Sequence, residues 1–262
     1  MTIRQRLIAE LLRGRRAQLQ PEDIGLLRDD VRRVPGLRRE EVAERAGINR
    51  DYLIRLEQAH GHLPSPQVVS ALSRALLLDV DTTEYFQQLA QTSATRALSR
   101  REGLPQGAFE ILRLLEPNPA YITNAVHDIL VVNTACGEAA GGFLEEGRNL
   151  LEEVLRREAD APFGNEWLQT ASRLVDAFRF HVLPDDAEYV RRLAQLHDRF
   201  ETFRRLWARQ TARKLTDATS LFHDGRTGWR RHTWQTLIVP DHPDSLLTII
   251  HPPLTGSAPA RE

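Results

Sequence analysis

Cysteine is nearly missing from this chain: Cys136 is the only one in 262 residues. A lone thiol excludes an intramolecular disulfide and a multi-cysteine metal site, and it fits a reducing cytoplasm. As a small, apolar-tolerant residue, Cys136 is most simply core packing. Lysine is as scarce, with Lys214 alone among 35 basic residues, a bias that reads as genomic base composition and not as chemistry. Excess charge of one sign is missing too. The formal net charge is −1, without the basic footprint of many nucleic-acid binders. The first 97 residues balance at +2 and the remainder at −3, so any phosphate-binding surface must come from local placement of arginines. No apolar run approaches the length that crosses a bilayer, and no secretory signal precedes the first helix. Ser, His and Asp occur without a GxSxG, a glycine-rich phosphate loop or a paired-carboxylate motif. His127, His181, His197, His223, His232, His242 and His251 do not form HxxxH with an acidic partner. No catalytic residue, metal or cofactor is therefore expected.

What the chain does have is a globular composition, 41% apolar and 27% charged, and enough length for two domains with a core each. Its most informative stretch is 37–66, LRREEVAERAGINRDYLIRLEQAHGHLPSP. Leu37, Val42, Ala43 and Ala46 predict a short helix with an apolar face, and Gly47 falls where a tight turn needs positive φ. Ile48 returns to the core, Asn49 can cap the next helix, and Tyr52, Leu53 and Leu56 have helical spacing. Burying that stripe leaves Asn49, Arg50, Asp51 and Arg55 outward, near the exposed start of a helix able to enter a major groove by its N-terminal residues. Two short helices about a glycine also describe any αα-hairpin. Helix order, turn glycine and outward polar residues together favour the helix-turn-helix.

On these residues, REEVAERAGINRDYLIRLEQ followed by PSPQVVSALSRAL resembles the Xre-type helix-turn-helix domain of bacterial repressors. The longer run VPGLRREEVAERAG resembles in particular the MmyB-like transcription regulators, and that resemblance implies a C-terminal ligand-binding domain of PAS-like fold. It also places Arg39 at the start of the first motif helix, where a side chain meets phosphate or a base beside the recognition helix. PNPAYITNAVHDILVVNTA, GRNLLEEVL and RRLWARQ resemble segments of the family's ligand-binding domain. The chain departs from that pattern at Val132, where the family often has Trp before the Asn of the second strand, and SLFHDGRTGWRRH lacks its histidine-proline motif.

The rest of the chain divides around this stretch. A first helix carries Ile3, Leu7, Ile8, Leu11 and Leu12, and its end carries Arg13, Arg15 and Arg16; Arg13 and Arg16 are expected to contact the DNA backbone. Residues 20–36 form a long connection whose Arg28, Arg32 and Arg33 either reach the DNA backbone or are balanced in solvent by Asp29 and Asp30. Ser65-Pro66 starts a fourth helix with Val68, Val69, Leu72, Ala75 and Leu76. Asp81 with Glu84 reads as the capping box of a fifth, containing Tyr85, Phe86 and Leu89. Residues 1–95 thus read as an all-α domain of five helices and 96–106 as a linker. The period then changes. Strands are expected over 120–125 and 129–133, helices over 149–157, 166–181, 187–196 and 200–209, and strands again over 219–223, 229–239 and 245–251. Residues 107–254 are expected to form an α+β PAS-like domain with an antiparallel sheet, closed by long-range pairing with helices over one face, and 255–262 a disordered tail.

The candidate DNA-binding residues are Arg39, Asn49, Arg50, Asp51 and Arg55. Arg50 suits the guanine O6 and N7 edge, and Asn49 can read adenine or simply cap its helix. Arg55, one turn after Asp51, either pairs with it or meets phosphate. In the second domain Trp167, Phe178, Phe180, Phe200, Phe203 and Trp207 form either plain core or the wall of an apolar cavity. Arg148 and Asn149 are candidates for its polar end, since a guanidinium holds a carboxylate bidentately; an ion pair with Glu145, Glu146 or Glu152 is the other fate of Arg148. The expected function is a cytoplasmic, sequence-specific transcription regulator. It acts on double-stranded DNA as a homodimer with half-sites about one helical turn apart and is controlled by a small, mainly apolar ligand such as a fatty acid. The alternative is a constitutive or partner-controlled DNA binder whose second domain is a ligand-free interaction module; an enzyme carrying a DNA-binding domain is a third class.

Overall fold

Local sequence sets the helix ends. Helix α1 (Ile3–Gln18) opens on a capping box: the Thr2 hydroxyl accepts from the Gln5 N–H at 3.2 Å, and the Gln5 side chain accepts from the Thr2 N–H at 2.8 Å. Helix α2 (Arg39–Ala46) stops at Gly47, whose φ of 62° and ψ of 34° are left-handed. Helix α3 (Arg50–Glu57) restarts at once from Asn49, and α4 (Pro66–Ala75) has Ser65 as its cap and Pro66 in its first turn. Helix α5 (Val80–Ala90) is capped by Asp79, whose carboxylate accepts from the Thr82 N–H at 2.8 Å, so the expected cap at Asp81 is corrected. The two aspartates offer the same chemistry. Asp79 is the one in extended geometry, and Asp81 already lies in the first helical turn. Leu7, Leu11, Val42, Leu53, Leu72 and Phe86 are buried among these helices, each contributing about 1.5–3 kcal/mol of burial. The computed structural model describes residues 1–27, 36–91, 100–139, 143–157, 164–224 and 228–252. Arg28, Arg32, Arg33, the linker residues 96–99, Gly225 and the 255–262 tail lie outside them.

A second compact unit comprises residues 97–181 and 214–262. Leu104, inside the expected linker, already packs in its core ahead of α6 (Gln106–Leu114), a helix the periodicity does not separate from the linker. Strands β1 (Ala120–Asn124) and β2 (Ile129–Val132) form the expected hairpin around His127, whose φ of 64° helps to reverse the chain. Helices α7 (Thr134–Ala139), α8 (Leu150–Arg156) and α9 (Gly164–Phe180) follow. Strands β3 (Asp217–Asp224), β4 (Gly228–Val239) and β5 (His242–His251) complete a PAS-like antiparallel sheet of order β2-β1-β5-β4-β3. The late strand β5 pairs with the early β1 from Ala120↔Ile249 to Asn124↔Ser245, the long-range closure that the order of elements predicts. Alternate side chains of a strand face opposite sides. Ala120 and Ile122 share one face with Leu247 and Val131, and α6 covers that face through Ala108 and Leu112. Tyr121 and Thr123 belong to the other.

Helices also form where 187–196 and 200–209 predict them, as α10 (Ala187–Arg199) and α11 (Glu201–Trp207). Residues 182–213, however, share a compact unit with residues 1–96. That unit is discontinuous in sequence, whereas spacing alone suggests one boundary between residues 95 and 107. Arg4 of α1 binds Asp185 through Nε at 3.2 Å, and its Nη1 donates to the carbonyls of Gln88 and Gln91 at 2.9 and 2.8 Å. Gln18 donates to the Ala208 and Arg209 carbonyls at 3.2 and 3.0 Å, and Arg213 pairs with Asp79 at 3.2 Å. A Cβ at Gly14 would lie 2.4 Å from the Gln210 Cγ, so the approach of this segment to α1 needs the glycine. An amphipathic helix announces by its spacing that it needs a partner. It does not say which.

Candidate DNA interface and ligand site

The turn at Gly47 fixes where α3 begins. Asn49 Oδ1 accepts from the Asp51 N–H at 2.7 Å, which gives Asn49 the capping role. Leu53 and Leu56 are buried beneath, while the Arg50 and Asp51 side chains are 52% and 74% exposed. Arg50 pairs with Glu40 of α2 and lies 3.7 Å from Asp51. A backbone hydrogen bond, and then the Arg50 side chain, hold the Glu40 carboxyl below its usual range. Such an exposed pair is worth about 0–1 kcal/mol, so Arg50 can exchange it for a base edge at little cost. Arg55 lies with its guanidinium carbon 5.8 Å from the centre of the Tyr52 ring. Arg39 opens α2, Asn49 caps α3, Arg50 and Asp51 lie in its first turn and Arg55 in its last.

Glu57, at the end of α3, is the residue that sequence reasoning missed. Its side chain is 1% exposed and takes Arg39 Nε at 2.5 Å on Oε2 and Arg16 Nε at 2.6 Å on Oε1. Arg16 also donates through Nη2 to Glu57 at 3.2 Å and through Nη1 to the Leu37 carbonyl at 3.0 Å, and Arg13 donates to the Glu57 carbonyl. Arg16, 16% exposed, is thus held inside the domain, against the expectation that it acts on the DNA backbone, while Arg13 stays exposed. A buried carboxylate needs cations around it, and Arg16 and Arg39 serve that need inside the domain. The signal was a charged residue on the same apolar stripe as Leu53 and Leu56. Arg39 keeps 43% of its side chain exposed.

The candidate ligand residues divide between the two units. Arg148 is 44% exposed and pairs with Glu145 at 2.8 Å and Glu153 at 3.7 Å. Asn149 is buried: Oδ1 accepts from the Glu152 N–H at 3.0 Å, and Nδ2 donates to the Val126 carbonyl at 2.6 Å and to Asp128 at 2.8 Å. It caps α8 and ties that helix to the β1–β2 turn. Trp167 Nε1 donates to the Val154 carbonyl at 2.7 Å, and Phe178 is buried with its ring centre 6.4 Å from that of His127. Phe200, Phe203 and Trp207 belong to the first unit, where Phe203 and Trp207 are buried and stacked at 5.5 Å.

His127 is fully buried, and its Nε2 is 2.9 Å from the Leu174 carbonyl. A carbonyl only accepts, so the proton sits on Nε2 and the buried Nδ1 carries a lone pair with no partner. Cys136 is buried as expected, and burial pushes its thiol up to about 12. On the sheet face away from α6, Tyr121, Thr248 and Thr236 form one cross-strand row. The Tyr121 hydroxyl is bonded with Thr248, and the Thr248 and Thr236 hydroxyls are 3.0 Å apart. Trp234 stands edge-on to Tyr121 with ring centres 6.4 Å apart and to Phe222 at 5.6 Å; Phe222 is in turn edge-on to His232 at 5.5 Å. The Trp234 Nε1 atom is buried and has no hydrogen-bond partner.

Residues 104–262 match the family model of the MmyB-like transcription regulator ligand binding domain, and residues 7–86 match a helix-turn-helix domain. No curated protein matches the chain. Among the described residues, no helix is long and apolar enough to cross a membrane.

Proposed function

The chain belongs to the MmyB-like transcription regulators, whose ligand-binding model spans more than half of it, and from that premise we propose that it binds double-stranded DNA through α3 under the control of a small, mainly apolar ligand. The exposed start of α3 above the buried Leu53 and Leu56 carries the first half of this reading. Arg50 reads a base edge, Asn49 sets the helix start, and Arg39, Asp51 and Arg55 flank the contact. An α3 of eight residues spans few base pairs, so the regulator acts as a homodimer on two half-sites about one helical turn apart, and its DNA target sets it in the cytoplasm. The ligand is elongated with a polar end, of the fatty-acid kind, because each buried methylene contributes roughly 0.8 kcal/mol and a long tail binds with few polar contacts.

The test of the DNA reading is to select the operator from random duplexes and then measure Arg50→Ala on operator and random DNA at one salt concentration. The variant loses about 1–3 kcal/mol on the operator and little on random DNA. Equal affinity of variant and parent for both would overturn the assignment.

A further inference from the structure

The last turn of α1 is held from two sides. On one, Arg16 pairs with the Glu57 carboxylate at 2.6 Å and Arg13 donates to the Glu57 carbonyl, both at the end of α3. There the Leu37 N–H also donates to the Arg16 carbonyl at 2.9 Å, and a Cβ at Gly36 would lie 2.6 Å from that same oxygen. On the other, Gln18 donates to the Ala208 and Arg209 carbonyls at 3.2 and 3.0 Å, and a Cβ at Gly14 would lie 2.4 Å from the Gln210 Cγ. At about 100° per residue, Gly14 and Gln18 lie roughly 150° round the helix from Arg13 and Arg16. Neither contact has room for one added carbon, and contacts packed so closely pass on a displacement instead of absorbing it.

Residues 208–210 come from a segment with two memberships. Residues 182–213 fall within the span that matches the ligand-binding family model, yet they pack with residues 1–96. The chain enters them from α9 and leaves them into β3, both of the second unit. Gln210 in this segment is 5% exposed and has a φ of 57°. A non-glycine residue stays in that left-handed region only where its surroundings hold it, and such residues gather at switch points. The seat against Gly14 thus has a discrete alternative, in which Gln210 relaxes to negative φ and leaves α1.

Resting on the reading that the second unit controls DNA binding by α3, we propose that residues 182–213 transmit that control, and that the seat of residues 208–210 on the last turn of α1 is where it acts. With Gln210 seated, α1 is braced on both sides, and Arg16 holds Glu57, which in turn holds Arg39 at the start of α2. With Gln210 released, the last turn of α1 loses one support, and the end of α3 and the start of α2 lose the fixed point they share. A rearrangement of α9 or β3 then reaches the recognition helix through one helical turn that does not touch DNA. Linkage makes the effect mutual: DNA held by α3 must act back on the sheet of the second unit.

The test is hydrogen exchange of the full chain with and without a saturating operator duplex selected from random sequences, read at the amides of β1 and β5 in the second unit. In the parent chain the duplex is expected to change their exchange rates by at least about fivefold, the lower end of ordinary coupling between sites. Gly14→Ala, which fills the space beside Gln210, should still bind the duplex but lose that change. Gln18→Ala, which removes both carbonyl contacts, decides the matter if Gly14→Ala does not fold. Asp185→Asn, which weakens the fastening to Arg4 at the other end of the segment, should keep the change. No change at β1 and β5 in the parent, the same change in Gly14→Ala and Gln18→Ala, or its loss in Asp185→Asn as well, overturns this inference and leaves the DNA reading standing. Failure of the parent to bind any duplex overturns both.

Discussion

At the scale of single residues, His127 is the group whose chemistry is most constrained. Its one hydrogen bond fixes the neutral tautomer, and protonating it would put a second N–H at Nδ1, buried with no acceptor. Burial accordingly pushes its pKa down from 6.5 to about 4. Between those values the unfolded chain takes up a proton that the native chain refuses. Stability present above about pH 6.5 is thus lost as the pH falls towards 4, by about 3 kcal/mol in all. His127→Asn removes the titration while suiting the left-handed backbone, so its urea-unfolding free energy should fall less between pH 7 and pH 4 than that of the parent. Parallel pH profiles would exclude His127 as the source. The seven histidines after residue 97 did not read as a metal set from their spacing, but nothing in their spacing distinguished His127, because its burial depends on α9 from far along the chain.

At the scale of elements, Glu57 joins three helices through one carboxylate: Arg16 of α1 and Arg39 of α2 meet it at the end of α3. Removing one partner of a buried ion pair leaves uncompensated charge, so Glu57→Ala should lower unfolding stability by about 3–5 kcal/mol. Arg39→Ala, taken from a half-exposed position, should lower it by less. Chemical denaturation of both variants checks the order, and equal losses would show that Glu57 does not act as the hub. The five helices of the first unit were legible because caps, turn glycine and apolar spacing are all local. Asn49 and Gly47 stand where those signals put them. Glu57 was hidden because Arg16 lies 41 residues away, and α6 was hidden because its sequence runs on from the linker without a break in character. Arg148 and Asn149 were legible as a polar pair, yet their partners Glu145 and Asp128 are structural. The polar row of Tyr121, Thr236 and Thr248 exists only once β1, β5 and β4 are side by side.

At the scale of the whole molecule, residues 182–213 decide what the first unit is. Tyr189, Leu193, Leu196, Phe203 and Leu206 are buried in it, and Arg4, Gln18 and Asp79 have hydrogen bonds or ion pairs with this segment. A chain ending at residue 96 lacks all of these and should unfold at least roughly 10 °C below the corresponding transition of the full chain, as a loss of about 2–3 kcal/mol implies for a domain of this size. Scanning calorimetry of the two proteins makes the comparison. Coincident transitions would mean that residues 182–213 add nothing to the stability of α1 to α5.

The same interleaving governs the order in which the protein is made. On the ribosome, α1 to α5 emerge first, but their unit is not complete until residue 213 has been synthesised, when only β3, β4 and β5 remain to come. The sheet in turn waits for β5, whose partner β1 was made more than a hundred residues earlier. A product that stops before residue 213 therefore lacks part of the first unit and all of β3 to β5, whereas one that stops between residue 213 and β5 has every residue of the first unit but an incomplete sheet.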